Sequence, residues 1–368
     1  LEAIMVRAVV LAVLLIVSSA HGAAAEPLRF MTWNINAGET EPSGVERRAR
    51  DAVEAVGGVD IVFLQEVISE AQVQAAAQGF GLPHYAMSDF SPPVSITNAW
   101  FRSLEVAVLS RIPITAASEW DTTGREPAGD GFAPRVSAEA ITTEELPINV
   151  DFGDHQPSRG FLRADLEGGW SVYSVHWKSS RGDACNAEDM DNAAQRENQA
   201  EGLGLDAARA LDADRTIVVG GDYNIQAPGR VLRVGTNPDE DCNPSGSCED
   251  VCGVDGADGY DDSVHMLLTL DPSARLLSQN LGETYVARFF PGGAIDHILV
   301  AGPRADAFET ASTPDVEGDA WFGSDHRPVL ANVTVEGEQR SDRAARIREL
   351  LDEIRQRATE IEMLLGQE

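Results

Sequence analysis

The stretch Phe322–Val329 reads F-G-S-D-H-R-P-V and abuts an apolar run, Val329–Val335, with strand character. An Asp-His pair at the mouth of a strand is a chemical feature before it is a structural one. A histidine can take a proton from water when a second acid orients its ring and stabilises its charged form. Asp325 itself, or Asp296 of Ile295-Asp296-His297 inside the predicted strand Ala294–Val300, could supply such an acid.

Working outward, the chain repeats one theme: an apolar run with ligand-type residues at its end. Leu28–Trp33 runs into Asn34-Ile35-Asn36, and Asp60–Leu64 into Gln65-Glu66. Between them Ser43–Val56 has helical spacing, with Val45, Ala49, Ala52, Val53 and Val56 on one side and Gly57-Gly58 as a stop. Ser69–Gln78 is a second predicted helix, with Ser69 and Gln72 at capping-box spacing. Strand, helix, strand, helix with polar strand ends is the pattern of an α/β layered fold. Leu104–Leu109 is the next strand. Ser118–Arg159 has no clear period and reads as a long surface excursion with one hairpin. Phe161–Leu166 and Trp170–Val175 flank Glu167-Gly168-Gly169 as a hairpin that ends in His176-Trp177-Lys178-Ser179. A helix over Asn192–Ala210 follows, then a short strand, Thr216–Val219, ending in Gly220-Gly221-Asp222-Tyr223-Asn224. Tyr285–Phe290 is a further late strand.

Taken singly, Asn34, Glu66, His176, Asp222, Asn224, Asp296, Asp325 and His326 each have a plain explanation as turn or helix-start residues. Together they suit phosphoester hydrolysis. Asn34 and Glu66 form an oxygen-ligand set of the kind Mg²⁺ prefers, with water completing the shell. A bound cation would neutralise phosphate charge. His326 would act as the base, with Asp296 or Asp325 holding its ring. Asp222 and Asn224, two apart on an extended segment, can face one site. One would orient the water and the other a phosphate oxygen. His176 would donate to phosphate, helped by Lys178, the single lysine of the chain. The sequence lacks G-K-[ST], G-x-S-x-G and H-E-x-x-H, which argues against P-loop, serine-hydrolase and zincin chemistry.

The ordered series Thr32–Ile35 (T-W-N-I), Leu64–Val67 (L-Q-E-V), His176–Ser179 (H-W-K-S), Gly221–Asn224 (G-D-Y-N), Ile295–Val300 (I-D-H-I-L-V) and Gly323–Val329 (G-S-D-H-R-P-V) resembles the endonuclease/exonuclease/phosphatase superfamily, the deoxyribonuclease I-like fold. The resemblance spans Leu28–Val335. It implies a four-layer α/β sandwich of two packed mixed sheets flanked by helices, with the site at one end. It implies a divalent metal, Mg²⁺ or Mn²⁺, around Asn34 and Glu66 with Asp325 on the metal side. It also implies an Asp296–His326 dyad, Asp222 and Asn224 lining the site, and His176 on phosphate. Asn36 stands where some members carry an acid. Nucleases, sphingomyelinases and small-phosphoester phosphatases share these motifs; His176–Ser179 and Ile295–Val300 resemble secreted bacterial nuclease-like members most.

Composition tempers the nuclease reading. The 368 residues carry 60 acidic and 28 basic side chains, a formal charge of −32. Duplex binding relies on Lys and Arg, so an Arg cluster on the site face would rescue that reading, with Arg102, Arg111, Arg159 and Arg163 as candidates. A uniformly acidic rim would point to a small phosphoester. Asn98-Ala99-Trp100-Phe101 is the best candidate for the lipid-contacting hairpin of a sphingomyelinase reading, and Trp100-Phe101 are expected instead to pack locally.

The ends carry their own signals. Met5, Arg7, the apolar run Ala8–Val17 and Ala23-Ala24-Ala25 form a secretory leader over residues 1–25, and the run is too short to span ~30 Å of hydrocarbon. Export to an extracellular or periplasmic space is therefore expected, with no stable membrane insertion after cleavage. Cys185, Cys242, Cys248 and Cys252 fit two disulfides with three pairings open. Asp239, Asp241, Asn243 and Asp250 approach Ca²⁺-loop spacing, but Pro244 takes the place of the required glycine. The main domain is 26–337. Beyond it, residues 338–368 form an amphipathic helix with Ile347, Leu351, Ile354, Ala358, Ile361 and Leu365 as a seam. That stripe serves either packing on its own domain or homo-oligomerisation through 343–365. A non-catalytic surface protein assembled by this helix is the competing functional class.

Overall fold

A computed structural model describes residues 27–38, 40–90, 104–121, 133–153, 159–179, 187–225, 263–285, 293–314 and 321–334, without the side chains of 187–190. The chain divides into two compact units: Arg29–Asn332, and Leu1–Leu28 with Val333–Glu368. The second lies almost wholly outside the described residues, as do the leader, all four cysteines, the acidic loop, Asn98–Arg102 and the C-terminal helix. Apart from the strand-end residues Leu28 and Val333, the described strands and helices belong to Arg29–Asn332.

The strands fall into two mixed sheets. The first contains β1 (Leu28–Asn34), β2 (Ile61–Val67), β3 (His84–Met87), β4 (Glu105–Ser110), β6 (Arg135–Val136) and β13 (Val329–Val333), in the order β13-β1-β2-β4-β3-β6. The second contains β5 (Ile114–Trp120), β7 (Thr142–Glu145), β8 (Phe161–Leu166), β9 (Trp170–His176), β10 (Thr216–Asp222), β11 (Arg275–Leu276) and β12 (Asp296–Ala301), in the order β11-β12-β10-β9-β8-β5-β7.

Alternation of side chains decides the layers. On β2, Val62 and Leu64 point to one face and pack with Val45, Ala49 and Ala52 of α1 (Pro42–Val56) and Val73 and Ala76 of α2 (Glu70–Phe80). Phe63 points to the other face, where Phe30 stacks on it at 6.4 Å and Trp170 of the second sheet meets Phe30 at 5.7 Å. The far face of the second sheet, with Tyr173, Val175 and Val219, packs on Leu203 and Ala207 of α3 (Ala187–Asp212) and on Val264 and Leu267 of α4 (Ser263–Leu268). Helices, sheet, sheet, helices is the four-layer sandwich. Two glycines permit its closest approaches. A Cβ on Gly220 would overlap the Phe63 ring between the sheets, and one on Gly202 of α3 would overlap Trp120.

Ser69 caps α2 through its side chain, accepting from Gln72 N–H at 3.3 Å, and the Gln72 side chain reaches back to Ile68 N–H at 2.9 Å. Gln65 and Glu66 lie within β2 rather than after it, because the strand continues through a register shift between Gln65 and Val67 and ends three residues later, at Val67. The surface excursion read over Ser118–Arg159 needs correction. Its first residues finish β5, which pairs in parallel with β7, so the two do not form a hairpin. The misreading has a physical cause: Thr142–Glu145 is a largely exposed edge strand of T-T-E-E, with no apolar alternation to reveal it. Of the late strand at 285–290, Tyr285 alone is described, bridging Gly293 and His326.

Candidate active site

Register builds half of the site. His176 ends β9, Asp222 ends β10 and Asp296 begins β12, and the ladders pair Asp222 with both. Three ligand-type residues thus form one row across adjacent strands. From the other sheet, Asn34 ends β1 beside Gln65 and donates from Nδ2 to Asp222 Oδ2 at 3.1 Å, tying the sheets together at their shared end.

His326 closes the arrangement. Its Nδ1 lies 2.8 Å from Asp296 Oδ2, and its Nε2 lies 3.8 Å from Asp222 Oδ2. The ring also packs 4.8 Å from Tyr285. Ser324 positions the segment, accepting from His326 N–H at 3.0 Å and donating to Asn34 O at 2.6 Å. Thr284 Oγ1 accepts from Asp296 N–H at 3.1 Å. Burial pushes the His326 pKa down, but Asp296 and Asp222 outweigh it and raise the pKa to about 10. Burial raises Asp222 to about 7, against the opposing pull of His326.

His176 behaves differently. Burial first, then the positive charges of Arg159 and His326, hold its pKa well below the ordinary value, so it is a neutral imidazole. Its Nε2 lies 3.6 Å from Asp222 Oδ2 and 3.9 Å from Glu66 Oε1. Glu66 reaches this place through backbone strain: it sits in the bulge of β2 with φ of 60°. A glutamate gains nothing local from a left-handed backbone, and such strain concentrates at functional sites. Asn36 and Asn224 share the left-handed region, with φ of 45° and 54°.

The remaining expected residues fall into two groups. Asp325 is exposed, and its Oδ1 accepts from Asn36 Nδ2 at 2.9 Å. Asn34 Oδ1 accepts from Asn36 N–H at 3.0 Å. Asn224 donates from Nδ2 to Trp177 O at 3.0 Å, and its N–H donates to Asp222 Oδ1 at 2.9 Å. One of its side-chain protons is therefore spent on joining two loops. Lys178 and Arg159 are held by their backbones. Gln199 Oε1 accepts from Lys178 N–H at 2.9 Å, and Gln199 Nε2 donates to Arg159 O at 2.7 Å. Arg196 adds a bond to Lys178 O at 2.8 Å.

The expected Arg cluster does not form from Arg111 and Arg163. Arg111 pairs with Asp60 at 2.6 Å, just beyond Ser110, which lies opposite Ile61 at the far end of β2 from Glu66. Arg163 is committed to Asp206 at 2.7 Å under α3. Both were candidates by residue type alone; Arg111 follows the end of β4 and Arg163 lies within β8, and each is paired with a nearby aspartate instead.

Among the described residues, Asp222, Asp296 and His326 bring ligand atoms within 4.8 Å of one another and could hold a metal ion. Their internal hydrogen bond already satisfies part of that group. Asn34, Glu66 and Asp325 offer oxygen donors of the type that a hard divalent cation takes. The Glu66 carboxylate makes no hydrogen bond among the described residues and faces His176, which leaves its oxygens available. The residues present therefore fit such an ion.

Sequence reading missed Arg48, Thr284, Tyr285 and Gln199. Arg48 and Gln199 had a signal: each is a polar residue placed in the buried stripe of its helix. Thr284 and Tyr285 had none, because isolated contacts bring them to the site: Thr284 accepts from Asp296 N–H, and Tyr285 bridges Gly293 and His326.

Residues 31–326 match the sequence model described as the Endonuclease/Exonuclease/phosphatase family. Among solved structures, the chain is similar to a 3'-5' exonuclease (NExo) from Neisseria meningitidis, at 18% identity and a TM-score of 0.50, over 84% of this chain and 100% of that one. It is also similar to 3' phosphatase NExo from Neisseria bound to a product DNA hairpin, at 17% identity and a TM-score of 0.50, over 83% of this chain and 99% of that one. At these identities the likeness is one of fold. No curated protein sequence matches the chain.

Proposed function

The chain belongs to the endonuclease/exonuclease/phosphatase family, and we propose that it is a nuclease that hydrolyses phosphodiester bonds in extracellular nucleic acid. Members of the family are metal-dependent phosphoesterases, so the reaction class is phosphoric ester hydrolysis. The observation that carries the reading is the buried Asp296–His326 contact of 2.8 Å, with His326 Nε2 directed toward Asp222.

In this reading Asp296 fixes the ring of His326 and stabilises its charged form. His326 and Asp222 hold between them the proton that must move when water attacks phosphorus. Neutral His176 donates a hydrogen bond to a phosphate oxygen from the single N–H of its uncharged ring. Asn224 shapes the loop junction, while Lys178 and Arg159 supply positive charge for the substrate. Asn34, Glu66 and Asp325 would hold Mg²⁺ or Mn²⁺. When bound, that ion neutralises phosphate charge and, as added positive charge nearby, favours loss of the His326 proton.

The DNA hairpin in the Neisseria relative supports nucleic acid as the substrate class. The leader-like residues 1–25 support export, and no helix among the described residues is long and apolar enough to cross a membrane. Self-association through 343–365 and Ca²⁺ in the acidic loop remain proposals resting on sequence alone. A small-phosphoester substrate is the second reading, favoured by the charge of −32 and by the engagement of Arg111 and Arg163 elsewhere.

The test is hydrolysis of plasmid DNA, RNA, sphingomyelin and bis-p-nitrophenyl phosphate by the purified chain with Mg²⁺, with and without EDTA. His326→Ala serves as the blank. Metal-dependent DNA or RNA cleavage absent from the variant is the expected result. Activity on the small ester or the lipid alone would overturn the nuclease assignment within the family. Inactivity on all four with metal bound would favour the non-catalytic class.

A further inference from the structure

We propose that Arg48 is a positioning residue that clamps the metal-holding loop of the site in shape. The inference rests on the reading of Asn34, Glu66 and Asp325 as the metal-holding group. Arg48 lies on α1 in the stripe of Val45, Ala49 and Ala52, all three buried against the first sheet. An apolar residue would satisfy that stripe. Instead Arg48 Nη1 donates to Ile35 O and to Asn36 O, both at 3.0 Å. It makes no ion pair among the described residues, so its fork of donors serves backbone alone.

Those two carbonyls belong to the loop that leaves β1 just after Asn34. The same loop is tied on its other side to the strained bulge of β2, where Ile35 N–H donates to Gln65 O at 3.2 Å and Ala37 N–H to Glu66 O at 3.1 Å. Arg48 also lies against Gly323, whose backbone is left-handed at φ of 88°; a Cβ there would come within 3.0 Å of Arg48 Nε. Two residues later comes Asp325, bonded to the Asn36 side chain at 2.9 Å. One guanidinium thus touches the two segments that carry Asn34 and Asp325, through a loop bonded to the backbone of Glu66. Arg suits this role because a planar fork reaches two acceptors at once, which an ammonium does with less geometric control.

This geometry separates shape from charge. A fixed positive charge near a cation site lowers cation affinity, so an Arg acting only through charge should be improved by removal. An Arg acting through the loop should not be replaceable even by lysine.

The experiment is calorimetric titration of Mn²⁺ into the full chain and into Arg48→Lys, Arg48→Gln and Glu66→Gln, with metal-free melting curves for each. Both Arg48 variants are expected to bind Mn²⁺ about tenfold more weakly, the scale of outer-shell effects on metal sites. Their metal-free melting should stay close to that of the parent. Turnover should recover at saturating Mn²⁺, moving the metal half-saturation point more than kcat. Glu66→Gln should lose binding. Loss in Glu66→Gln with parental affinity in Arg48→Lys, or tighter binding in Arg48→Gln, would overturn the clamp alone. Undiminished binding in Glu66→Gln would remove the site itself and the inference with it.

Discussion

Asp222 and Asp296 are direct partners in the antiparallel pairing of β10 with β12, two fully buried carboxylates on neighbouring strand ends. Uncompensated, that pairing would be strongly unfavourable. His326 compensates it by approaching both, at 3.8 Å and 2.8 Å, and keeps its proton for the same reason. The histidine of Phe322–Val329 is therefore electrostatically required as well as chemically useful.

The first prediction follows from that triad. Asp296→Asn keeps shape and one acceptor but removes the charge that holds His326 in its orientation and protonation state. Turnover of bis-p-nitrophenyl phosphate at saturating Mg²⁺ should fall by about 10²–10⁴, the usual range for acid-base groups. His326→Ala should fall at least as far, with circular dichroism unchanged in both. Turnover within twofold of the parent in either variant would refute the role given to the dyad.

Glu66 tests the other half of the site. Glu66→Ala should abolish hydrolysis while leaving the fold intact, because the side chain makes no hydrogen bond among the described residues. Addition of Mg²⁺ or Mn²⁺ to the parent should raise its melting temperature, as binding to the folded state alone must. EDTA should reverse that rise, and the variant should not show it. A full metal-induced shift in Glu66→Ala would place the ion elsewhere, with Asp222, Asp296 and His326 the next candidates.

The sandwich makes its own prediction at Gly220. This glycine lies in β10 with Phe63 of the other sheet pressed against it. Gly220→Ala forces the ring aside in a closely packed interior, which costs roughly 1–3 kcal/mol. For a domain of this size that is a fall of several degrees in melting temperature. The smaller substitution Phe63→Leu in the same chain should recover part of the loss. An unchanged melting temperature in Gly220→Ala would mean that the sheets are not packed this closely.

How much of this was legible beforehand depended on whether a residue's role is written locally. Apolar runs such as Leu28–Trp33 and Asp60–Leu64 announced buried strands, and the polar residues after them announced a shared end. The motif series carried the two-sheet architecture, which periodicity alone could not have assembled. Thr142–Glu145 was illegible because an exposed edge strand needs no apolar face. The bulge at Glu66 was illegible because strain leaves no compositional mark in a glutamate. Arg163 and Arg111 misled because a sequence states a charge but not the partner that holds it: Asp206 holds the first and Asp60 the second. Arg48 and Gln199 show the reverse case: a polar residue in a buried helical stripe is a signal that something fixed lies opposite it.

The last prediction concerns alkaline stability and two acids outside the catalytic group. Glu105 begins β4 and is buried, with its carboxylate accepting from Ser88 Oγ at 2.5 Å and Phe90 N–H at 3.0 Å. Glu119 near the end of β5 is also buried; one oxygen accepts from Asp89 N–H at 2.8 Å and the other has no hydrogen-bond partner. Burial raises the first to about 8 and the second to about 9, and nearby acids including Asp89 and Asp121 add to the rise. Both start from an ordinary value of 4.5. The folded chain therefore binds more protons than the unfolded chain between pH 4.5 and pH 8–9, so stability falls as pH rises through that window. The contribution is fully present below the unfolded value and lost above the folded ones. Glutamine keeps a carbonyl acceptor at each position without a charge to bury. Glu105→Gln with Glu119→Gln should therefore flatten the decline of melting temperature from pH 5 to pH 9 and raise it by several degrees at pH 9. Comparing variant with parent cancels the contributions of His326 and Asp222, which titrate in both. Parallel pH profiles for the two proteins would show that these carboxyls are not held neutral by the fold.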